Sequence, residues 1–362
     1  FFCIFSVSLL ITLVIFVIVS KTPISWWKAN ARWLLISGIV LSALLALGGV
    51  AHASFVQCSL GACRWFDLGP LGSLQPAEFL KLALLVFGAG FIAYRAKQGV
   101  LNDLYKSLIP LAAVLGVVIL FVIGLQEDMG TGLVMLAIMV SMLFAGGISM
   151  RVAAIVIGAL VVLGLLMIVI APHRRDRIAT FFQGDAASVD DAGAYHIAHA
   201  KIAIGSGGLI GVGIGNSVQA TGYLPEAIND SVFAIMGETF GFVGLVVVLL
   251  IFGALLLALL KVARQLPGMY EKLIVVGVFG WLAAHVVLNV AAMTGVFPLT
   301  GITLPLLSFG GTSMVFIAAA LGLAFQLSSY TTHHVVNEGA DYENSRSRRG
   351  LGRSRHASSS RL

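Results

Sequence analysis

The chain has 362 residues, of which 59% are hydrophobic and only 10% are charged, with a net charge of +6 and a mean hydropathy of +1.01. Soluble domains usually carry about 25% charged residues, so this composition excludes a soluble globular protein. It predicts an integral membrane protein, for which we expect no nucleic-acid partner.

Apolar stretches long enough to cross a bilayer follow one another along the chain. None of them alternates apolar and polar residues with a period of two, so we expect helices and not a β-barrel. The predicted fold is an all-α, polytopic transmembrane helix bundle with nine spans. These predicted spans lie at 3–20, 33–51, 79–94, 107–124, 129–147, 152–171, 232–260, 273–296 and 311–328.

Basic residues are distributed unevenly between the loops on the two sides of the predicted bundle. One side carries Lys21, Lys28, Arg32, Arg95, Lys97, Lys106, Arg151, Lys261, Arg264, Lys272 and the arginines of the C-terminal tail, whereas the other carries Arg64, Arg174, Arg175, Arg177 and Lys201. The positive-inside tendency makes the first side cytoplasmic, which places residue 1 outside. Because residue 1 is Phe and apolar sequence begins at once, we expect a preceding span and ten spans in the complete protein. A cleaved signal peptide is the alternative, with the same topology.

Two segments are predicted to lie outside the bilayer. The external loop 172–231 is far longer than most connections in helix bundles, and loops of that length usually carry function. The tail 331–362 is rich in Ser and Arg and is predicted to be disordered, with its arginines attracted to anionic lipid or, alternatively, to a protein partner. Residues 1–330 then form one membrane domain.

The external loop 52–78 contains Cys58 and Cys63, separated by Ser-Leu-Gly-Ala. A disulfide could persist outside the cytosol, but spacing alone leaves both the bridged and the free form open.

Charged residues stand at several external ends of the predicted helices, where charge in or near a bilayer often marks function. Glu78 and Lys81 are one turn apart and are predicted to form an ion pair, with anion binding by Lys81 as a compatible role. Glu127 and Asp128 are interpreted as carboxylates at a helix N-terminus, or as a wall of a site or cation ligands.

The long external loop contains arginines and a glycine-dense run. Arg174 and Arg175 are expected to contact lipid headgroups, and Arg177 is the better candidate for a diphosphate site. The run 205–215 follows no strand, so it does not indicate a nucleotide-binding fingerprint. We expect its glycines to let the backbone lie close to helices or to a lipid-linked substrate.

The last spans contain further polar side chains. Asp230 is interpreted as the N-cap of a span or as a site residue, and Glu238 as a buried carboxylate, neutral or paired. His285 and Asn289 share one helix face, and prolines and glycines at 298–311 then break the chain. Broken backbone at membrane depth is tolerated where it lines a cavity or is buried in protein, so we expect a cavity near the external face.

With these residues in view, the chain resembles the SEDS family of bacterial cell-envelope proteins, to which FtsW, RodA and SpoVE belong. The resemblance covers nearly all of residues 1–330. It rests on five ordered motifs, which read "RWFDLG…QPAEFLK", "DMGTG", "AIGSGGLIGVGIGNS", "YLPEAIND" and "PLTGITLPLLSFGGTS". Two stretches, "GNSVQATGYLPEA" and "FPLTGITLPLLSFGGTS", look more like FtsW than RodA.

The resemblance implies a peptidoglycan glycosyltransferase that polymerises lipid II into β-1,4 glycan strands during cell division, with a RodA-type role in elongation as the alternative. The family's essential acidic residue matches Asp230, which would act as the general base of an inverting reaction. Residues implied in substrate binding are Lys81, Glu78, Arg177, Glu226 and Ser308.

The resemblance also implies a setting for this activity. The expected location is the bacterial inner membrane, with the catalytic face outside the cytoplasm. A class B penicillin-binding protein and other division proteins are the implied partners, and a divalent cation, Mg or Mn, is a candidate cofactor.

The chain departs from the family pattern around the proposed base. The family commonly has His-Thr-Asp-Phe where this chain has Ile228-Asn229-Asp230-Ser231, and Tyr-Gln where it has Tyr195-His196. Gln-Pro-Asp becomes 126–128 Gln-Glu-Asp, and Gly-Glu-Glu becomes 237–239 Gly-Glu-Thr. These differences leave two other functions open: a transporter of lipid II, and a catalytically idle scaffold of the division machinery.

Overall fold

In a computed structural model, residues 2–59, 62–69, 72–156, 158 and 192–330 are described, with the side chains of 2–7, 59 and 192 excepted. The predicted span 152–171, the first part of the predicted external loop 172–231 and the tail 331–362 therefore lie largely or wholly outside the described residues. The helices are α1 (Phe2–Lys21), α2 (Ile24–Val50), α3 (Pro76–Lys97), α4 (Leu104–Leu125), α5 (Met129–Ala145), α6 (Ala192–Ser206), α7 (Val232–Gln265), α8 (Met269–Met293) and α9 (Thr312–Tyr330), and residues 150–156 are also helical.

Within the described residues, six helices have the length and hydropathy needed to cross a membrane: α2, α3, α4, α7, α8 and α9. The apolar stretches Ser8–Lys21 in α1 and Met129–Ala145 in α5 are shorter. The chain is therefore a mainly helical, multi-pass membrane protein. Eight of the nine predicted spans have a helix at their place.

Several predicted span boundaries differ from the helix ends in the structure. The second span was predicted from residue 33, but α2 begins at Ile24, because Lys28 and Arg32 lowered the apolar signal without interrupting the helix. Long basic side chains at a helix end can keep their charge at the interface, and Lys28 lies over the ring of Tyr270 at 5.3 Å. The helix α8 also starts before the predicted residue 273 and ends before residue 296.

The all-α prediction missed a small antiparallel sheet in the loop 52–78, which was predicted to be external. Its strands are β1 (Val56–Ser59), β2 (Ala62–Asp67) and β3 (Ser73–Leu74), in the order β1-β2-β3. Cys58 and Cys63 are paired across β1 and β2 and form a disulfide, which settles the question that spacing left open. Strands of this length are too short to show a clear alternation in sequence.

The centre of the bundle consists of α3, α5, α8 and α9, whereas α2, α4 and α7 expose much of their apolar surface. Glycines allow the central helices to approach closely, as expected in a membrane. Gly88 of α3 packs against methionines of α5, and Gly280 of α8 packs against Ser141 of α5. This tightly packed centre carries the buried polar side chains described next.

Candidate active site

A buried ion pair begins the site at the N-terminal end of α3. Pro76 at the first helical position and Glu78 in the first turn suit a helix start. The Lys81 ammonium lies 2.7 Å from a Glu78 carboxylate oxygen, with side-chain exposures of 0% and 5%. The predicted ion pair is confirmed, and its burial shows that the two charges neutralise each other inside the bundle.

His285 of α8 holds the other side of the Lys81 ammonium. Its Nε2 atom lies 3.3 Å from Lys81 Nζ and accepts a hydrogen bond from Trp281 Nε1 at 3.1 Å. Its Nδ1 atom lies 3.0 Å from the carbonyl oxygen of Thr303. Because both neighbours of Nε2 are donors and the neighbour of Nδ1 is an acceptor, the network assigns a neutral ring protonated on Nδ1.

Asn289, one turn along α8 from His285, ties the same region to the loop before α7. Its side-chain amide donates to the carbonyl oxygens of Asp230 and Ile302, both at 2.7 Å. His285 and Asn289 therefore bind consecutive carbonyls, those of Thr303 and Ile302, in the non-helical segment 294–311. This arrangement brings the Lys81 cluster and the Asp230 loop into one site, at the broken backbone that the sequence predicted.

Asp230 is not an N-cap, contrary to one of its two predicted roles. Ser231 occupies the position before α7 and makes no capping hydrogen bond with its side chain. Asp230 lies instead in a turn-rich loop, 9% exposed. Burial, and next the negative charge of Glu226, raise the pKa of the Asp230 carboxyl to about 7, although hydrogen bonds with its own backbone and Ser231 oppose the shift.

The loop around Asp230 is closed by its own hydrogen bonds. Glu226 accepts at its carboxylate from the Asn229 side chain, and its carbonyl accepts from the backbone N–H groups of Asn229 and Ser231. The backbone N–H of Phe309 donates to Ile228 at 2.8 Å, which attaches the loop to the broken segment. The residues on both sides of Asp230 are thus fixed by backbone hydrogen bonds.

His196, on α6, contacts this loop through Ser231. Its Nε2 atom lies 2.6 Å from Ser231 Oγ, and the hydroxyl also lies 2.8 Å from the Pro225 carbonyl oxygen. Burial lowers the pKa of the His196 ring, and the charge of Glu226 opposes that shift. Sequence reasoning recorded both residues only as departures from the family pattern, since a contact between positions 196 and 231 has no local signal.

Glu238 is buried in α7, as predicted, and is fully engaged in structural hydrogen bonds. Its carboxylate accepts from Ser217 Oγ and from the backbone N–H groups of Val218 and Gln219. The glycine-dense run packs beside it, and a Cβ on Gly211 would meet the carbonyl of Thr239. The expectation that these glycines allow close backbone approach to a helix is confirmed at this position.

A second group of polar contacts connects α5 to the sheet β1-β2-β3. Asp128 caps α5 by accepting from the backbone N–H of Thr131, and it also accepts from Gln75 Nε2 at 2.8 Å. Arg64 of β2 donates to the carbonyls of Gln126 and Glu127, each at 3.0 Å. The predicted place of Asp128 at a helix N-terminus is confirmed, whereas the contacts of Arg64 and Gln75 were not anticipated.

The remaining predicted site residues differ in their positions. Glu226 is exposed beside Asp230, whereas Ser308 is 2% exposed and accepts a hydrogen bond from the backbone N–H of Leu304. Arg174, Arg175 and Arg177 lie outside the described residues. Within the described part of the chain, no group of three or more His, Cys, Asp or Glu side chains could hold a metal ion.

Several buried polar atoms at this end of the bundle have no hydrogen-bond partner among the described residues. They are Glu78 Oε2, both amide atoms of Gln126, Asn289 Oδ1 and Thr300 Oγ1. Unpaired polar atoms of this kind are costly to bury and are suited to bind water or a polar ligand.

Comparison with known proteins identifies the family. Residues 1–333 match the family described as cell cycle protein, which groups FtsW, RodA and SpoVE. The chain belongs to this family.

Two relatives in this family align with most of the chain. The probable peptidoglycan glycosyltransferase FtsW of Nitrosomonas europaea is 34% identical over 334 residues, which are 91% of the chain and 80% of the relative. The stage V sporulation protein E of Bacillus subtilis is 33% identical over 312 residues, which are 85% and 81%.

Solved structures show the same fold. A chain from a peptidoglycan synthase complex, described by its coordination of polymerization and crosslinking, is 27% identical with a TM-score of 0.70, over 90% of this chain and 88% of that one. The rod shape determining protein RodA of Thermus thermophilus is 26% identical with a TM-score of 0.63, over 90% and 86%. The described helices thus have the arrangement of this FtsW/RodA/SpoVE family.

Proposed function

We propose that this chain is a peptidoglycan glycosyltransferase that polymerises lipid II into β-1,4 glycan strands during division. Relatives named as FtsW glycosyltransferases support the activity. The observation that carries the assignment of the site is the connection of Asp230 and Lys81, through Asn289 and His285, to consecutive carbonyls of one broken segment. This connection supports one site that contains both the proposed base, Asp230, and the Lys81 ammonium.

Asp230 is the proposed general base. Lipid II carries an α-linked sugar on a diphosphate, so a β-linked product requires attack on the opposite face by the 4-hydroxyl of the acceptor sugar. That hydroxyl must lose its proton, and a base is most effective when its pKa is close to the working pH. The raised pKa of Asp230, about 7, meets this requirement.

The leaving diphosphate needs positive charge, for which we propose Lys81 and Arg177. The Lys81 ammonium is enclosed by Glu78 and His285 in this structure, so substrate entry has to open the side chains around it. We propose that Glu78 and Glu226 orient the substrate and that Ser308 shapes the segment it contacts.

A divalent cation, Mg²⁺ or Mn²⁺, would accompany the diphosphate and add positive charge there. The described residues offer no complete protein cage for it, which fits a cation bound mainly by phosphate oxygens and one or two carboxylates. No step of the proposal depends on the ion.

We further propose that the site faces the outside of the inner membrane, as the positive-inside tendency predicts. A class B penicillin-binding protein is the proposed partner, together with other division proteins. The similarity to a chain of a peptidoglycan synthase complex supports an assembly of this kind.

The test is polymerisation of labelled lipid II by the purified full-length protein with its cognate transpeptidase, resolved on a gel as glycan chains. We expect polymer from the wild type and none from Asp230→Asn. Asp103→Asn is the matched control, because Asp103 caps the start of α4 and Asn caps equally well, so it should remain active. Equal polymer from Asp230→Asn would exclude Asp230 as the base, and none from the wild type would favour transport or scaffolding.

A further inference from the structure

Ser231 and His196 form a buried contact next to the proposed base, Asp230. Ser231 is 0% exposed and His196 is 8% exposed, and their Oγ and Nε2 atoms are 2.6 Å apart. Ser231 Oγ also lies 3.5 Å from Asp230 Oδ1. A carboxyl, a hydroxyl and an imidazole therefore stand in sequence, with the hydroxyl in the middle.

The middle hydroxyl can receive a proton on one side and pass one on from the other. Besides His196, it has the Pro225 carbonyl as an acceptor at 2.8 Å. A serine hydroxyl has one proton and two acceptor lone pairs, so a small rotation directs that proton to either partner. In the direction of His196, the lone pairs are left facing Asp230.

The proposed function creates a need for such a path. Each sugar transfer leaves Asp230 protonated, and the carboxyl must lose this proton before the next transfer. The acceptor hydroxyl has to contact the Asp230 carboxyl during transfer, so the bound sugar chain would cover the 9% of Asp230 that is exposed. His196 is 8% exposed and has no contact with the reacting hydroxyl in this proposal, so a path through Ser231 to His196 leads the proton to water while the sugar is still bound.

We propose that Ser231 and His196 are a proton relay that returns Asp230 to its carboxylate form after each transfer. The Asp230 O–H bond breaks as its proton binds to Ser231 Oγ, and the original Ser231 O–H bond breaks as that proton binds to His196 Nε2. The products are an Asp230 carboxylate, an unchanged Ser231 hydroxyl and a His196 imidazolium. The imidazolium then gives its proton to water, and this inference rests on the glycosyltransferase function proposed above.

The charges around His196 suit this role. Burial lowers the pKa of the resting ring, so it is neutral and able to accept, while the carboxylate of Glu226 stabilises the imidazolium that forms. Tyr195 and His199 are the nearest titratable neighbours on its own helix, and they pack against each other with ring centroids 4.1 Å apart. The facing loop contributes the carboxyls of Asp230 and Glu226, and the phenol of Tyr223, whose ring stacks on His199 at 6.4 Å.

The test measures kcat and KM for lipid II polymerisation with the full-length protein and its transpeptidase. His196→Gln keeps a side chain that can bond to Ser231 but cannot take up a proton, and Ser231→Ala removes the hydroxyl. We expect each change to lower kcat by about 10- to 100-fold, with KM within about twofold. The kcat of the double variant should be no lower than that of the weaker single variant, because Ser231 and His196 act in one path.

Small bases give a readout that a purely structural role would not change. In His196→Ala, imidazole added to the buffer should raise kcat in proportion to its concentration, because it can occupy the space of the missing ring. His199→Gln is the matched control on the same helix: His199 bonds to Gln219 at 2.8 Å and not to the base, so its kcat should stay unchanged.

The relay is overturned if His196→Gln or Ser231→Ala keeps kcat within twofold of the wild type. It is also overturned if the fold reductions in kcat of the two single variants multiply in the double variant. Lost kcat without rescue by imidazole assigns His196 a structural role and also overturns it. A wild type that polymerises while Asp230→Asn does not supports the proposed function whatever the His196 result. If the wild type has no polymerisation activity, both the proposed function and the relay are excluded, because Asp230 then takes up no proton that has to be released.

Discussion

The side-chain amide of Asn289 donates a hydrogen bond to the backbone carbonyl of Asp230 at 2.7 Å. The same amide donates to Ile302 at 2.7 Å, so one buried side chain fixes the base loop to the broken segment. Removal of this amide would leave two carbonyls unpaired inside the protein, each at a cost of about 1–3 kcal/mol.

We therefore expect Asn289→Leu to lower both stability and kcat, the latter by at least about tenfold, because a small displacement of the base is costly. Asn30→Leu is the control, since Asn30 bonds only to a carbonyl on the exposed face of α2. Thermal unfolding and lipid II polymerisation measure the two effects. Wild-type kcat in Asn289→Leu would show that Asp230 is positioned by other contacts.

The pH dependence of the reaction should report the environment of Asp230. A base must be ionised, so kcat/KM is expected to rise with pH through a limb near 7, the pKa to which burial and Glu226 raise this carboxyl. Glu226→Gln removes one cause of the shift and should move the limb to lower pH. Glu271→Gln, in the first turn of α8, should not move it. A limb that stays in place in Glu226→Gln would contradict the electrostatic coupling.

The same shift predicts how stability changes with pH. The folded chain holds the Asp230 proton up to about pH 7, whereas the ordinary pKa is 3.8, so stability is lost as pH rises from about 4 through 7. Three pH units correspond to about 4 kcal/mol at most. Asp230→Asn lacks this loss, so its melting temperature should exceed that of the wild type at pH 8, with a smaller difference at pH 4. A difference that is constant with pH would contradict the raised pKa.

The Glu78 and Lys81 pair should show strong coupling between its members. Either Lys81→Met or Glu78→Gln leaves a buried group without its partner, which typically costs about 3–5 kcal/mol. The double variant should recover most of that stability, since no uncompensated charge remains, but not the activity. A double-mutant cycle by thermal unfolding measures the coupling. Additive losses would show that the two charges do not stabilise each other.

The glycine run offers a comparison between two matched positions. Gly211 and Gly215 have positive φ angles of 82° and 87°, so alanine strains the backbone at both. At Gly211 the new Cβ would also meet the carbonyl of Thr239, whereas nothing lies within 4 Å at Gly215. Gly211→Ala should therefore lower the melting temperature clearly more than Gly215→Ala. Equal decreases in melting temperature would mean that the loop can move away from the helix at Gly211 without loss of stability.

Much of the bundle could be predicted from the sequence because each span is a single apolar run. The ion pair of Glu78 and Lys81 was predictable for a similar reason, since both residues lie within one helical turn. The contact of His196 with Ser231 was not, because it joins two elements far apart in the chain. The role of Asp230 as an N-cap was a reasonable local reading, but hydrogen bonds from α8 and the loop itself determine its place.

The helix α7 is interrupted at Gly241, with φ 68° and ψ −169°, and the glycine run supplies bonds on both sides of the interruption. Val212 and Gly213 donate to the carbonyls of Glu238 and Thr239, while Phe242 and Val243 donate to Gly208 and Leu209. These four hydrogen bonds from the loop connect the two parts of α7 across the interruption. An interruption of this kind would make an isolated helix flexible, but here the loop restrains it. The part of α7 next to Asp230 can therefore change direction only if these hydrogen bonds break.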